Sequence, residues 1–97
     1  MPKGYVIAHL TLKDKERFFN EYGSKIEAVV GQFGGKFLVR GGEVLYREGE
    51  PIADIDVIVE FPDKEAGQNC LKSDAYQQII AGRLDNTTGT FIFVEGV

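Results

Sequence analysis

The sequence predicts an α+β protein, a four-stranded antiparallel sheet with helices on one face, and three observations lead there. Stretches of strand chemistry and stretches of helical periodicity follow one another in the order β, α, β, β, α, β. Two glycine pairs punctuate Phe33 to Glu43: Gly34-Gly35 stops a helical pattern, and Gly41-Gly42 bends the short strand after it. The strands are apolar at both alternations, which asks for cover on each face of the sheet. With 97 residues, one domain over residues 1–97 is expected.

Tyr5 to Leu12 is rich in β-branched and aromatic residues and reads as strand one. Asp14 then supplies a side-chain oxygen for a helix start. Phe18, Phe19, Tyr22, Ile26, Val29, Val30 and Phe33 recur at three- and four-residue steps, the spacing of one helix face. Gly23-Ser24 interrupts them, so one helix or two shorter pieces meeting at Gly23 fit equally. Strand two is expected from Lys36 to about Tyr46, with a break at Gly41-Gly42, before the turn Glu48-Gly49-Glu50-Pro51. Strand three, Asp54 to Phe61, alternates Ile55, Val57, Val59 and Phe61 against Asp56, Ile58 and Glu60. Pro62-Asp63 ends it and opens a helix with Ala66, Cys70 and Leu71 inward. Ser73 or Asp74 caps a second helix carrying Tyr76, Ile79, Ile80 and Leu84. Thr88 to Glu95 is strand four.

This order defines the ferredoxin-like arrangement, with strands in the order 4-1-3-2 and a right-handed crossover read as a parallel pairing of strands one and three within the otherwise antiparallel sheet. Helices cover one face only. A second copy of the chain is the expected cover for the other, which predicts a homodimer.

A net charge of −4, with basic residues scattered among acids, argues against a nucleic-acid footprint. No apolar run approaches the roughly 20 residues of a membrane helix. One cysteine, Cys70, and no visible targeting segment suit a cytoplasmic bacterial protein.

Lys3-Gly4-Tyr5-Val6-Ile7-Ala8, Tyr22, Gly34-Gly35-Lys36-Phe37-Leu38-Val39-Arg40-Gly41-Gly42, Glu60-Phe61-Pro62 and Ser73-Asp74-Ala75-Tyr76 resemble a family of small bacterial proteins, a domain of unknown function in the dimeric α+β barrel superfamily. The Gly-Gly…Arg-Gly-Gly element is the most specific part. The resemblance implies a ferredoxin-like protomer whose sheet packs on a partner's, and it brings no activity with it. The wider superfamily includes cofactor-independent monooxygenases, muconolactone isomerases, haem enzymes and ligand-sensing domains, and fold alone does not choose among them.

His9, the only histidine, stands on an otherwise apolar strand and is the candidate for moving a proton; a buried histidine bonded to a neighbour is the structural alternative. Arg40 is the candidate clamp for a carboxylate or enolate, or else an ion-pair partner of Glu43 or Glu60. Tyr22 lies on the apolar helix face, either with its hydroxyl in a pocket or as a core tyrosine with a wet tip, and Glu60 is either the partner of Arg40 or a second acid/base group. Arg83 reads as a cation at a helix C-terminus, Asp54 and Asp56 as a solvated pair, and Cys70 as packing. No cofactor and no metal are expected, since one histidine with dispersed carboxylates offers no ligand spacing. Two functions fit: cofactor-independent chemistry, proton transfer or oxygenation, on a small carboxylated or aromatic metabolite, or a non-catalytic ligand-binding or dimeric assembly module. His9 and Arg40 are expected to border one pocket.

Overall fold

The computed structural model describes residues 2–97. Strand β1 (Gly4–Leu12) buries Val6, Ala8 and Leu10 and turns Tyr5, Ile7 and His9 to the other side. The chain then runs through helix α1 (Lys15–Phe18), a π-helical turn (Phe19–Gly23) and helix α2 (Ile26–Gly31). Asp14 caps the first of these, accepting from the Arg17 amide at 3.0 Å. The π-turn resolves the choice left open at Gly23 in favour of broken pieces. The extra residue it carries rotates Phe19 off the apolar stripe, where it is 58% exposed. Gly34, at φ +77°, ends the helical run, and the Gly35 amide returns to the Val30 carbonyl at 2.8 Å.

Strand β2 is Lys36–Arg40, shorter than the expected Lys36 to Tyr46. Gly41, at φ +70°, donates to the Asp56 carbonyl at 2.9 Å and then turns the chain off the sheet edge. A longer hairpin would set Tyr46 opposite Pro51, which has no N–H to give. Residues 41–54 form an extended loop that leaves Leu45, Tyr46 and Ile52 exposed.

Strand β3 (Ile55–Phe61) leads into helix α3 (Lys64–Lys72), capped by Asp63, whose carboxylate accepts from the Ala66 amide at 2.8 Å. Ser73 caps the short helix α4 (Asp74–Gln77), accepting from the Tyr76 amide at 3.1 Å. Helix α5 (Ile80–Leu84) and strand β4 (Thr87–Glu95) complete the chain.

The sheet order is β2-β3-β1-β4, the expected 4-1-3-2 in reverse. Every neighbouring pair is antiparallel, β1 with β3 included, which corrects the parallel pairing. The strands that run in the same direction are β1 with β2 and β3 with β4. Each of these pairs is joined through helices and separated in the sheet by one strand, so a crossover need not create parallel neighbours.

All helices lie on one face. The body is 17 Å along its thinnest axis, enough for one sheet and one helical layer. Between the layers sit Phe61 and Cys70, both almost wholly buried, and Phe93 packs edge-on against Phe61 at 5.8 Å. The opposite face is bare and presents Tyr5, Ile7, Ile58, Ile92 and Val94.

Candidate ligand-binding site

The layers do not close completely. A cavity of about 70 Å³ remains between the sheet and the helical layer, walled by side chains such as Ala8, Leu10, Ile26, Val57 and Phe91. Four polar side chains also border it: Tyr22, Arg40, Tyr76 and Arg83. Apolar walls with few convergent polar groups are the general make-up of a small-molecule site.

Arg40 reaches the cavity because β2 contains a bulge. In register, Phe37 faces Val59 and Arg40 faces Val57, both partners on the helix side, while Lys36 and Val39 face the outward Glu60 and Ile58. The shift between Phe37 and Val39 inserts Leu38 as the extra residue. Arg40 then lies over the Phe37 ring at 4.6 Å and donates from Nη2 to the Gly23 carbonyl at 2.5 Å, in the π-turn. Glu27, at 4.0 Å, is its acidic neighbour, in place of the expected Glu43 or Glu60. Arg40 is thus half-exposed at the mouth and already bonded.

Deeper in, the Tyr22 and Tyr76 hydroxyls meet at 3.2 Å, their rings edge to face. Burial first, and the Tyr76 hydroxyl second, push the Tyr22 phenol well above its ordinary range, so it stays protonated at neutral pH. Arg83 donates from Nη2 to the Tyr76 hydroxyl at 3.3 Å, and its guanidinium lies 4.2 Å from the Phe91 ring centroid. This arginine is 9% exposed, and its Nε has no hydrogen-bond partner. Among the described residues no carboxylate lies within ion-pair distance of it.

Arg83 does stand in the last turn of α5, as its helix-end reading expects, but its side chain is buried. Arg83 follows Tyr76 by seven residues and Ile79 by four, on the buried stripe of the α4–α5 run, whereas Leu84 is exposed. A charge at an apolar-stripe position was the available signal.

The other expected site residues lie elsewhere. His9 and Asp56 are cross-strand partners on the bare face, with Nδ1 and Oδ1 2.7 Å apart; the carboxylate accepts, so Nδ1 donates and Nε2 is left for another partner. They border an open depression of about 300 Å³ beneath the 41–54 loop, with Arg47, Glu48 and Glu50. His9 and Arg40 hence stand at different pockets on opposite faces of the sheet, because His9 has the wrong alternation in β1 to face the helices. Glu60 is also outward, bonded to Lys3 at 3.1 Å and beside Lys36 at 3.5 Å, and does not meet Arg40. Asp54 accepts from the Leu12 amide at 2.9 Å instead of pairing with Asp56. Cys70 is packing, and burial pushes its thiol up to about 11.

Among the described residues, no helix is long and apolar enough to cross a membrane, and no group of three His, Cys, Asp or Glu side chains is placed to hold a metal.

The fold and cavity define a class, the ferredoxin-like α+β protomer with a pocket between sheet and helices. The chain belongs to the DUF1330 family, a domain of unknown function whose sequence pattern matches residues 3–97. Among solved structures it is similar to a Rhodopseudomonas palustris protein of unknown function, at 17% identity and TM-score 0.79, over 99% of this chain and 83% of that one. SnoaB, a cofactor-independent oxygenase from Streptomyces nogalater, has the same fold at 10% identity and TM-score 0.60, over 97% of this chain and 92% of that one. A protein of the ethd family from Bacillus halodurans aligns at 14% identity and TM-score 0.52, over the full length of both chains. No curated protein matches the sequence.

Proposed function

We propose that this protein binds a small aromatic or carboxylated metabolite in the cavity between sheet and helices. The observation that carries the reading is the cavity itself: a mostly apolar space of about 70 Å³ bordered by two arginines and two tyrosines. A chain that needed only a core would fill such a space, since unfilled volume costs stability. The lone buried thiol suits a reducing compartment, and we place the protein in the cytoplasm, as a homodimer joined through the bare sheet face.

Catalysis without a cofactor, by proton transfer or oxygenation, is the second reading. It is favoured by the protonated Tyr22 hydroxyl beside Tyr76, a hydrogen-bond donor pair for oxygen on a bound substrate, and by the fold shared with SnoaB. His9 is not available to that cavity as a base. The pocket reading is tested by a thermal-shift screen of small aromatic and carboxylic metabolites. A ligand that binds the folded state raises the melting temperature with concentration, and Tyr22→Phe or a cavity-filling Ala8→Leu lowers that response. A screen without a concentration-dependent shift for the wild type contradicts it. Turnover of any ligand found separates the two readings.

A further inference from the structure

We infer that Arg83 is the anchor of an oxyanion site, and that the cavity takes a small planar monocarboxylate with its acid group turned inward onto Arg83 and Tyr76. This rests on the pocket reading and adds the charge and orientation of the ligand.

Arg83 carries a full positive charge in a place where almost everything else is hydrocarbon. Its Nε is buried and unpaired, and its only side-chain hydrogen bond among the described residues goes to a neutral phenol at 3.3 Å. The faces of Phe91 and, at 5.9 Å, Tyr22 compensate part of the lost hydration. Burying an unpaired charge is costly, and an unsatisfied buried donor adds to that cost. An arginine kept only for packing would have a carbonyl or carboxylate on Nε. A ligand carboxylate supplies what is missing, because its two oxygens match the guanidinium fork side by side.

Chemistry narrows the class further. One guanidinium and the tyrosine hydroxyls suit a single negative charge; a phosphate dianion would leave charge and oxygens unpaired against the apolar walls. The remaining wall is Phe18, Ile26, Val57 and Phe91, surfaces for the flat unsaturated body of a one-ring molecule. Arg40 sits at the mouth with its donor already on the Gly23 carbonyl, so the anion is assigned to the deeper arginine.

The test uses benzoate, its neutral isostere benzamide, and phenol. Titration calorimetry measures affinity, and the Nε–H resonance of Arg83 is followed by NMR in the wild type. Benzoate is expected to bind and move that resonance. Arg83→Gln should weaken benzoate at least about tenfold, the loss of one charge-assisted contact, with little effect on benzamide. Arg83→Lys should not restore wild-type affinity, because the fork is gone. If Arg83→Gln does not fold, Tyr76→Phe and the wild-type resonance decide. The assignment is overturned if benzoate binds without moving the Arg83 resonance, or binds the folded Arg83→Gln variant as well as the wild type. If benzamide or phenol binds and benzoate does not, the pocket stands and the anion site falls. If none of the three binds, the pocket reading falls with it.

Discussion

Arg40 stacks on Phe37, 4.6 Å from the ring centroid, although the two lie an odd number of residues apart in one strand. Strict alternation would place them on opposite faces of the sheet. The inserted Leu38 restores them to the same face, and the contact between Arg40 and the π-turn depends on it. Arg40→Met should leave the bulge in place and remove the bond to the Gly23 carbonyl. A loss of about 1–2 kcal/mol is expected, the worth of a partly exposed charge-assisted hydrogen bond. Urea denaturation checks this, and an unchanged midpoint would show that the contact between β2 and the π-turn contributes nothing.

The two tyrosines of the cavity should respond unequally. Tyr22→Phe removes one side of a neutral hydroxyl pair and should cost about 0.5–1.5 kcal/mol. Tyr76→Phe also strips Arg83 of its one side-chain partner and should cost more, about 1–3 kcal/mol, because a buried charge is left bare. Equal losses for the two variants would mean that the Tyr76–Arg83 contact contributes nothing.

Acid stability should depend on the outward cluster of Lys3, Lys36 and Glu60. The hydrogen bond from Lys3, with the nearby charges of Lys3 and Lys36, holds Glu60 below the usual carboxylate range, against a smaller upward effect of desolvation. A depressed folded value means that the contribution is complete above the ordinary glutamate value and is lost as pH falls through the folded one. Glu60→Gln, or Lys3→Met, should therefore flatten the acid limb of the stability profile below about pH 4.5, in the window set by the ordinary glutamate value. An acid limb identical to the wild type's would rule the cluster out.

Cys70 gives the opposite sign. Its thiol is raised by burial to about 11, so protonation favours the folded state, and that contribution fades as pH rises from the ordinary thiol range through about 11. At pH 8 the native protein should react with iodoacetamide far more slowly than the urea-unfolded chain. Comparable rates would show that the site opens freely.

The architecture was legible because it rests on periodicity and punctuation. Asp14 caps the helix it was expected to cap, Ser73 takes the cap left open between it and Asp74, a helix opens after Pro62-Asp63 as expected, and Gly34 and Gly41 turn the chain where glycine pairs marked turns. The site was less legible because it depends on which face each side chain takes. Tyr22 borders the cavity, on the helix stripe that its spacing shows. His9 and Arg40 were assigned to one pocket, but strand alternation puts His9 outward, and the bulge that brings Arg40 inward leaves no mark in composition. Arg83 was given the ordinary reading of a basic residue near a helix end, and it stands there; the Tyr76 and Ile79 stripe adds that its side chain is buried.

The bare sheet face carries the last prediction. Tyr5, Ile7, Ile58, Ile92 and Val94 form an apolar surface on the side without helices, and the 41–54 loop adds exposed Leu45, Tyr46 and Ile52 beside it. A second copy placed sheet to sheet would cover these side chains and the His9–Asp56 pair at their border, and a stable pair buries about 1,600 Å² in total. Sedimentation at micromolar concentration should show a dimer. Ile92 is 52% exposed in the protomer, so Ile92→Asp should leave the protomer folded. Facing its own copy across an apolar interface, the same aspartate is a buried unpaired charge, and the variant should sediment as a monomer. A monomeric wild type would remove the dimer altogether. An Ile92→Asp variant that remains dimeric would move the interface to another surface and leave the sheet face for a different partner.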